Sequence, residues 1–208
     1  MSFSRDRDGG DRMKGFIPLL LVLFALSQTV SAQDDQPPSP GNRGFLLTSA
    51  YAGLAAPIGM KDDDTERVGF LSGLSLKYIY DDVDYPVVGA GYTYFSAAFR
   101  DRVLTPGTAK TRMSGHTLDI MIAVKRTYSY ITYVVVCAGK GEEKFYTDSP
   151  PANWKARSMM RGIGFGAFEK PTEDRRLIFG SEIRYLTFPE LENVNGLVQV
   201  LFSMGYAF

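Results

Sequence analysis

The residues from Gly196 to Phe208, Gly-Leu-Val-Gln-Val-Leu-Phe-Ser-Met-Gly-Tyr-Ala-Phe, limit most sharply what this chain can fold into. Val198, Val200, Phe202, Met204, Tyr206 and Phe208 share one parity and are all apolar. Leu197, Gln199, Leu201, Ser203, Gly205 and Ala207 share the other and are mostly small or polar. Successive side chains of a strand point to opposite faces, so this stretch is a ribbon with one greasy side and one mixed side. A water-soluble fold would bury the greasy side and rarely stop on it. An apolar-out, small-in strand of this length that ends in aromatics fits a transmembrane β-barrel.

The start of the sequence is consistent with export. Gly15 to Val30 is the one hydrophobic run, short for a membrane-spanning helix, and Ser31-Ala32-Gln33 follows it. Val30 and Ala32 supply the small residues at −3 and −1 of a signal-peptidase site, so residues 1–32 read as a cleavable signal peptide. Arg5, Asp6, Arg7, Asp8, Asp11 and Arg12 are an odd acidic mixture for a signal peptide's basic end, whereas Met13-Lys-Gly-Phe is a compact one. Met13 is therefore an alternative start. No cysteine lies near the cleavage site, which excludes a lipoprotein anchor. Cys137, the single cysteine, cannot form an internal disulfide and reads as a small apolar filler. Residues 33–43, polar and proline-rich, read as a periplasmic tether ahead of a barrel over 44–208.

Eight strand-like runs follow, at about 44–56, 67–80, 86–99, 113–126, 130–140, 159–168, 176–188 and 196–208. The connections 57–66, 100–112 and 141–158 are long and charged, 81–85, 127–129 and 169–175 are shorter, and the last outward one, 189–195, breaks the contrast with a medium length. Long outer loops alternating with short inner turns is the pattern of an outer-membrane barrel. Parity agrees in most runs: Val68, Phe70, Leu74, Leu76, Tyr78 and Tyr80 oppose Gly69, Gly73, Ser75 and Lys77. Leu118, Ile120, Ile122 and Val124 oppose Thr117, Asp119, Ala123 and Lys125, and Leu177, Phe179, Ile183 and Tyr185 oppose Gly180, Glu182 and Arg184. The run from Tyr130 to Gly139 is apolar on both faces and fits less well. A soluble barrel would place apolar residues inside, and the inward set is too polar for that. The fold class expected is all-β, an eight-stranded antiparallel up-and-down transmembrane β-barrel.

Several segments resemble the small outer-membrane family that includes Ail, Lom, PagC, Rck and OmpX. Gly73-Leu-Ser-Leu-Lys-Tyr-Ile-Tyr-Asp81 resembles the family's second-strand phrase. Tyr128-Ser-Tyr-Ile-Thr132 with Ala138-Gly-Lys140 is similar to the fifth, Gly180-Ser-Glu-Ile-Arg-Tyr185 occupies the place of the seventh, and Gly205-Tyr-Ala-Phe208 is close to the terminal Gly-Tyr-Arg-Phe. Ser203 stands where the family commonly has glycine. The resemblance implies location in the outer membrane of a Gram-negative bacterium. It further implies that Phe202, Met204, Tyr206 and Phe208 signal to the barrel-assembly machinery. In the family, attachment to host cells and resistance to complement reside in the outer loops, and the loops here match none of its phrases.

Candidate sites fall in three places. Lys77, Asp119, Lys125, Glu182 and Arg184 face inward, and an eight-stranded barrel has room only for side chains, so these charges must pair or hold water. That makes a polar core the expectation, ahead of an ion path or a solute channel. Ser114 and His116 share the outward face near the outer leaflet, as a serine and a histidine do in an outer-membrane lipid-A deacylase. Here their order is reversed and no carboxylate is placed to orient the histidine, so His116 reads as a headgroup-zone residue. In the outer loops, Asp62, Asp63 and Asp64 form a solvated charge run or a divalent-cation bridge to lipopolysaccharide phosphates. Tyr146, Trp154 and Lys155 suit a protein-binding tip, and Trp154 equally suits an aromatic girdle.

With 23 basic and 23 acidic residues the formal charge is zero, so nothing points to nucleic acid. The leading expectation is a non-enzymatic surface barrel without cofactors, whose loops bind host surface or complement proteins for adhesion, invasion or serum resistance. A structural barrel for envelope integrity, contacting lipopolysaccharide, is the alternative. A lipid-A-modifying enzyme using Ser114 and His116 is the distant one.

Overall fold

The computed structural model describes residues 44–59, 68–81, 85–100, 110–127, 129–148, 151–172, 174–191 and 194–208. The segments expected to be a signal peptide, 1–32, and a tether, 33–43, and the residues Asp62, Asp63 and Asp64, lie outside the described residues. Eight strands, β1 (Phe45–Ile58), β2 (Gly69–Tyr80), β3 (Val88–Arg100), β4 (Lys110–Arg126), β5 (Tyr130–Asp148), β6 (Pro151–Glu169), β7 (Leu177–Thr187) and β8 (Gly196–Ala207), pair antiparallel in sequence order. β8 returns to β1, from Leu47↔Ala207 to Ile58↔Gly196, and closes the barrel. Closure leaves no edge with unpaired backbone groups in the middle of the wall, a requirement for any strand structure in lipid.

The outer wall is apolar. Phe70 is 80% exposed, Leu118 70%, Val124 65%, Phe202 63% and Phe208 66%. Residues so placed in every strand form a continuous lipid-facing band. Tyr78, Tyr85 and Tyr206 lie towards its inner rim, and Tyr206 meets Phe208 edge-on at 4.9 Å.

The interior is less polar than parity suggested. Near the outer end Phe95, Phe99, Met113, Met160, Leu186 and Phe188 form one buried apolar cluster, and near the inner end Phe45, Ile79, Met121, Ile131, Val135 and Phe168 form a second. Charges occupy the belt between them. The β5 run, apolar on both faces, is explained by this layering: Ile131, Val135 and Cys137 fill the interior while Val136 and Ala138 face lipid.

Two expectations are corrected. The loop assigned to 141–158 is strand for most of its length, because β5 and β6 pair continuously from Tyr130↔Glu169 to Asp148↔Pro151. The stretch leaves the membrane, so its side chains no longer alternate apolar and polar, although the ladder hydrogen bonds continue. Lys125 does not face inward. Val124 is an extra residue between Ala123↔Tyr133 and Lys125↔Thr132, and this β-bulge turns Lys125 outward. Arg126 takes the inward place instead, and its guanidinium binds the buried Asp81 at 2.9 Å.

Candidate functional site

The belt between the apolar clusters is built around Arg184 of β7, which is 2% exposed. Its Nε donates to Glu182 Oε1 at 2.6 Å, and Nη2 donates to Asp119 Oδ2 of β4 at 2.9 Å. Nη1 reaches Asp119 Oδ1 at 3.3 Å and Thr117 Oγ1 at 3.2 Å. The hydroxyls of Thr93 and Thr117 each donate to Asp119 at 2.7 Å. Glu182 Oε2 accepts from Tyr133 Oη at 2.7 Å and from Lys77 Nζ at 3.3 Å. Two cations face two carboxylates, so the belt is charge-balanced. Its charged side chains are hydrogen-bonded as burial requires.

Lys77, Asp119, Glu182 and Arg184 are thus brought together, and Lys125 is left outside. Thr93 and Tyr133 were missed. Their signal was parity alone, and in Tyr133 it was hidden by apolar neighbours on both faces. Beside the belt is a cavity of about 30 Å³ bordered by Ser49, Ser75 and Ser203, room for about one water. The belt cross-links β2, β3, β4, β5 and β7 and leaves the space of a plugged barrel, not of a pore.

A second group of charges lies on the outer wall, above the apolar band. Strand register sets it in rows across β3 to β6: Tyr94, His116, Lys140 and Met159 in one, Ser96, Ser114, Glu142 and Arg157 in the next, then Ala98, Arg112, Lys144 and Lys155. Glu142 is held by Lys155 at 2.7 Å, Lys144 at 2.8 Å and Arg157 at 3.4 Å. Hydrogen bonds from Lys144 and Lys155 bring its carboxyl down to about 2. Arg112 Nε donates to Ser96 Oγ at 2.9 Å.

Ser114 and His116 both face outward, but no hydrogen bond joins them among the described residues. The His116 ring stacks on Tyr92 at 5.9 Å. The carboxylate across from Ser114, Glu142, is already taken by three cations. The pair therefore lacks the linked nucleophile, base and orienting acid of an acyl-transfer triad. Lys155 is exposed on the hairpin, while Tyr146 and Trp154 pair in its ladder as Lys110↔Tyr146 and Phe145↔Trp154.

No protein-family model and no curated protein matches the chain. Among solved structures, Ail, the attachment invasion locus protein of Yersinia pestis, in complex with the heparin analogue sucrose octasulfate, matches with a TM-score of 0.51 and 18% identity, over 79% of this chain and 98% of Ail. The chain has the fold of the Ail barrel. Neisserial surface protein A matches with a TM-score of 0.48 and 10% identity, over 80% of this chain and 98% of its own. OprG of Pseudomonas aeruginosa matches with a TM-score of 0.45 and 16% identity, over 79% of this chain and 95% of its own. The likeness to Ail is one of fold, the small eight-stranded wall.

Proposed function

We propose that the chain is a non-enzymatic surface protein of the outer membrane, in which the plugged barrel is the anchor and the β5–β6 hairpin binds external polypeptides. One observation carries this reading. β6 runs from Pro151 to Glu169, but its pairing with β7 begins only at Arg161↔Thr187. Among the described residues no strand covers its other edge from 151 to 160. Met159 N–H on that edge is capped by Glu190 Oε2 at 3.1 Å, and by strand alternation the N–H groups of Arg157 and Lys155 point the same way. Such an edge accepts an extended segment as an added strand, with Lys155 and Arg157 favouring an acidic one. A host surface or complement protein is the partner class that the family resemblance suggests.

The test uses expression of the full chain on a non-adherent, serum-sensitive Gram-negative host. Wild type is expected to raise cell attachment or serum survival. Arg157→Pro removes one edge N–H without touching the β5 ladder, a substitution that edge strands tolerate. It is expected to abolish the gain while the barrel still shifts on gels with boiling. An unchanged gain overturns strand addition. Inhibition by heparin of both proteins alike would assign binding to a sulfated glycan instead. No gain from wild type, with detergent sensitivity on deletion, would favour the envelope-integrity role.

A further inference from the structure

The open edge of β6 has a definite lower limit. Met159 N–H is taken by Glu190 Oε2 at 3.1 Å, and Met159 O accepts from Ser158 Oγ at 2.6 Å. One step nearer the membrane on the same edge, Arg161 O accepts from Thr187 Oγ1 at 3.1 Å. Glu190 N–H ties the cap down by donating to Ser158 Oγ at 3.3 Å. Side chains thus finish the edge at the point where β7 stops. The N–H and C=O of one residue point to the same side of a strand, so Arg157 and Lys155 present both groups to this edge. Among the described residues no hydrogen bond reaches those groups. The side chains alternate about the same edge. Lys155 and Arg157 point outward, and with Lys144 they surround a single carboxylate, Glu142, so the patch keeps a positive excess. The Arg157 side chain is 77% exposed. Ala156, between them, points inward and packs against the outer apolar cluster, which includes Phe188 and Leu191 of the β7–β8 connection.

We infer that this edge selects an extended segment of the pattern acid–apolar–acid, with the acidic side chains beside Lys155 and Arg157 and the apolar one beside Ala156. This selection rests on strand addition at the same edge and narrows it. An added strand points successive side chains to opposite faces, so the outer two of three consecutive residues meet the cations and the middle one lies over the apolar cluster. Opposite charges set side by side across a strand pair stabilise it, and like charges destabilise it. The same rule turns away a second copy of this chain. Two copies paired edge to edge about this stretch would set Lys155 or Arg157 of one against Lys155 or Arg157 of the other. Glu190 fixes where the partner ends. Its carboxylate fills the place that the partner's next backbone acceptor would take at Met159, so the added strand stops beside Arg157.

The full chain, labelled with nitrogen-15 and refolded in detergent micelles, is titrated with the end-capped peptides Thr-Asp-Val-Asp-Thr, Thr-Asn-Val-Asn-Thr and Thr-Asp-Asn-Asp-Thr while its amide resonances are followed by NMR. The first peptide is expected to move the Lys155 and Arg157 amide protons downfield, as a new hydrogen bond does, and to leave Met159 unmoved. Exchanging both aspartates, or the valine, for asparagine is expected to weaken binding about tenfold, the effect of two cross-strand charge pairs or of one covered apolar side chain. Glu190→Ala should keep the response and add Met159 to it; boiling-dependent gel migration verifies that this variant is folded. Equal binding of Thr-Asn-Val-Asn-Thr overturns the acidic preference, and equal binding of Thr-Asp-Asn-Asp-Thr overturns the apolar one, while both leave strand addition standing. An unmoved Met159 in Glu190→Ala overturns the stop. Edge resonances that shift with protein concentration alone overturn the exclusion of a second copy. Lys155 and Arg157 amides that respond to none of the peptides overturn strand addition itself, and the selection with it.

Discussion

Arg184 is the residue whose removal the barrel should tolerate least. It neutralises Asp119 and Glu182 at 2.9 and 2.6 Å in the buried belt. Truncating it leaves two buried carboxylates with one lysine between them. Arg184→Ala is expected to cost about 3–5 kcal/mol, read as a lowered urea midpoint of the barrel refolded in lipid vesicles. Asp119, Glu182 and Arg184 were legible in the sequence because each alternates with residues such as Ile120, Ile183 and Tyr185 that can only face lipid. Lys125 obeys the same alternation in the sequence and yet faces outward. A single extra residue, Val124, inverts every face beyond it, and no feature of Lys-Arg at 125–126 announces the bulge.

At the scale of elements, strand existence and order were readable, and strand length was not. Alternation in the sequence ends β5 at 140 and begins β6 at 159, because it marks the membrane, and the ladder does not stop there. The closing seam makes an opposite demand, for close backbone approach. A Cβ added to Gly53 of β1 would fall on the carbonyl oxygen of Val200 in β8, and that atom is held by the β1–β8 pairing. Gly53→Ala is therefore expected to destabilise the barrel by at least about 2 kcal/mol, seen as a larger unfolded fraction on unboiled gels at intermediate urea. The glycine itself is visible in the sequence. Its role is not, because it depends on which strand arrives last.

For the whole molecule, the end of β8 settles closure. Phe208 N–H donates to Leu46 O at 2.9 Å, and Leu46 N–H returns to Phe208 O at 3.4 Å. Phe208 is also exposed to lipid at 66%. Deleting Phe208 is expected to lower the amount inserted in the outer membrane more than truncating the β5–β6 tip, measured by immunoblot of membrane fractions; equal levels refute it. The fold was legible because lipid imposes one pattern on all eight strands. The hairpin edge and the charged rows on the outer wall were not, since they arise from pairing that stops, or aligns residues far apart in sequence. The same separation bears on the order of assembly. Arg184 meets Asp119 across 65 residues, and Glu182 meets Lys77 across 105. Until β7 docks, Asp119 and Lys77 lie on the inner face of an incomplete sheet and still need water. The nascent sheet therefore keeps a hydrated hollow until its seventh strand arrives, and drying of the interior becomes a late event that marks a finished barrel.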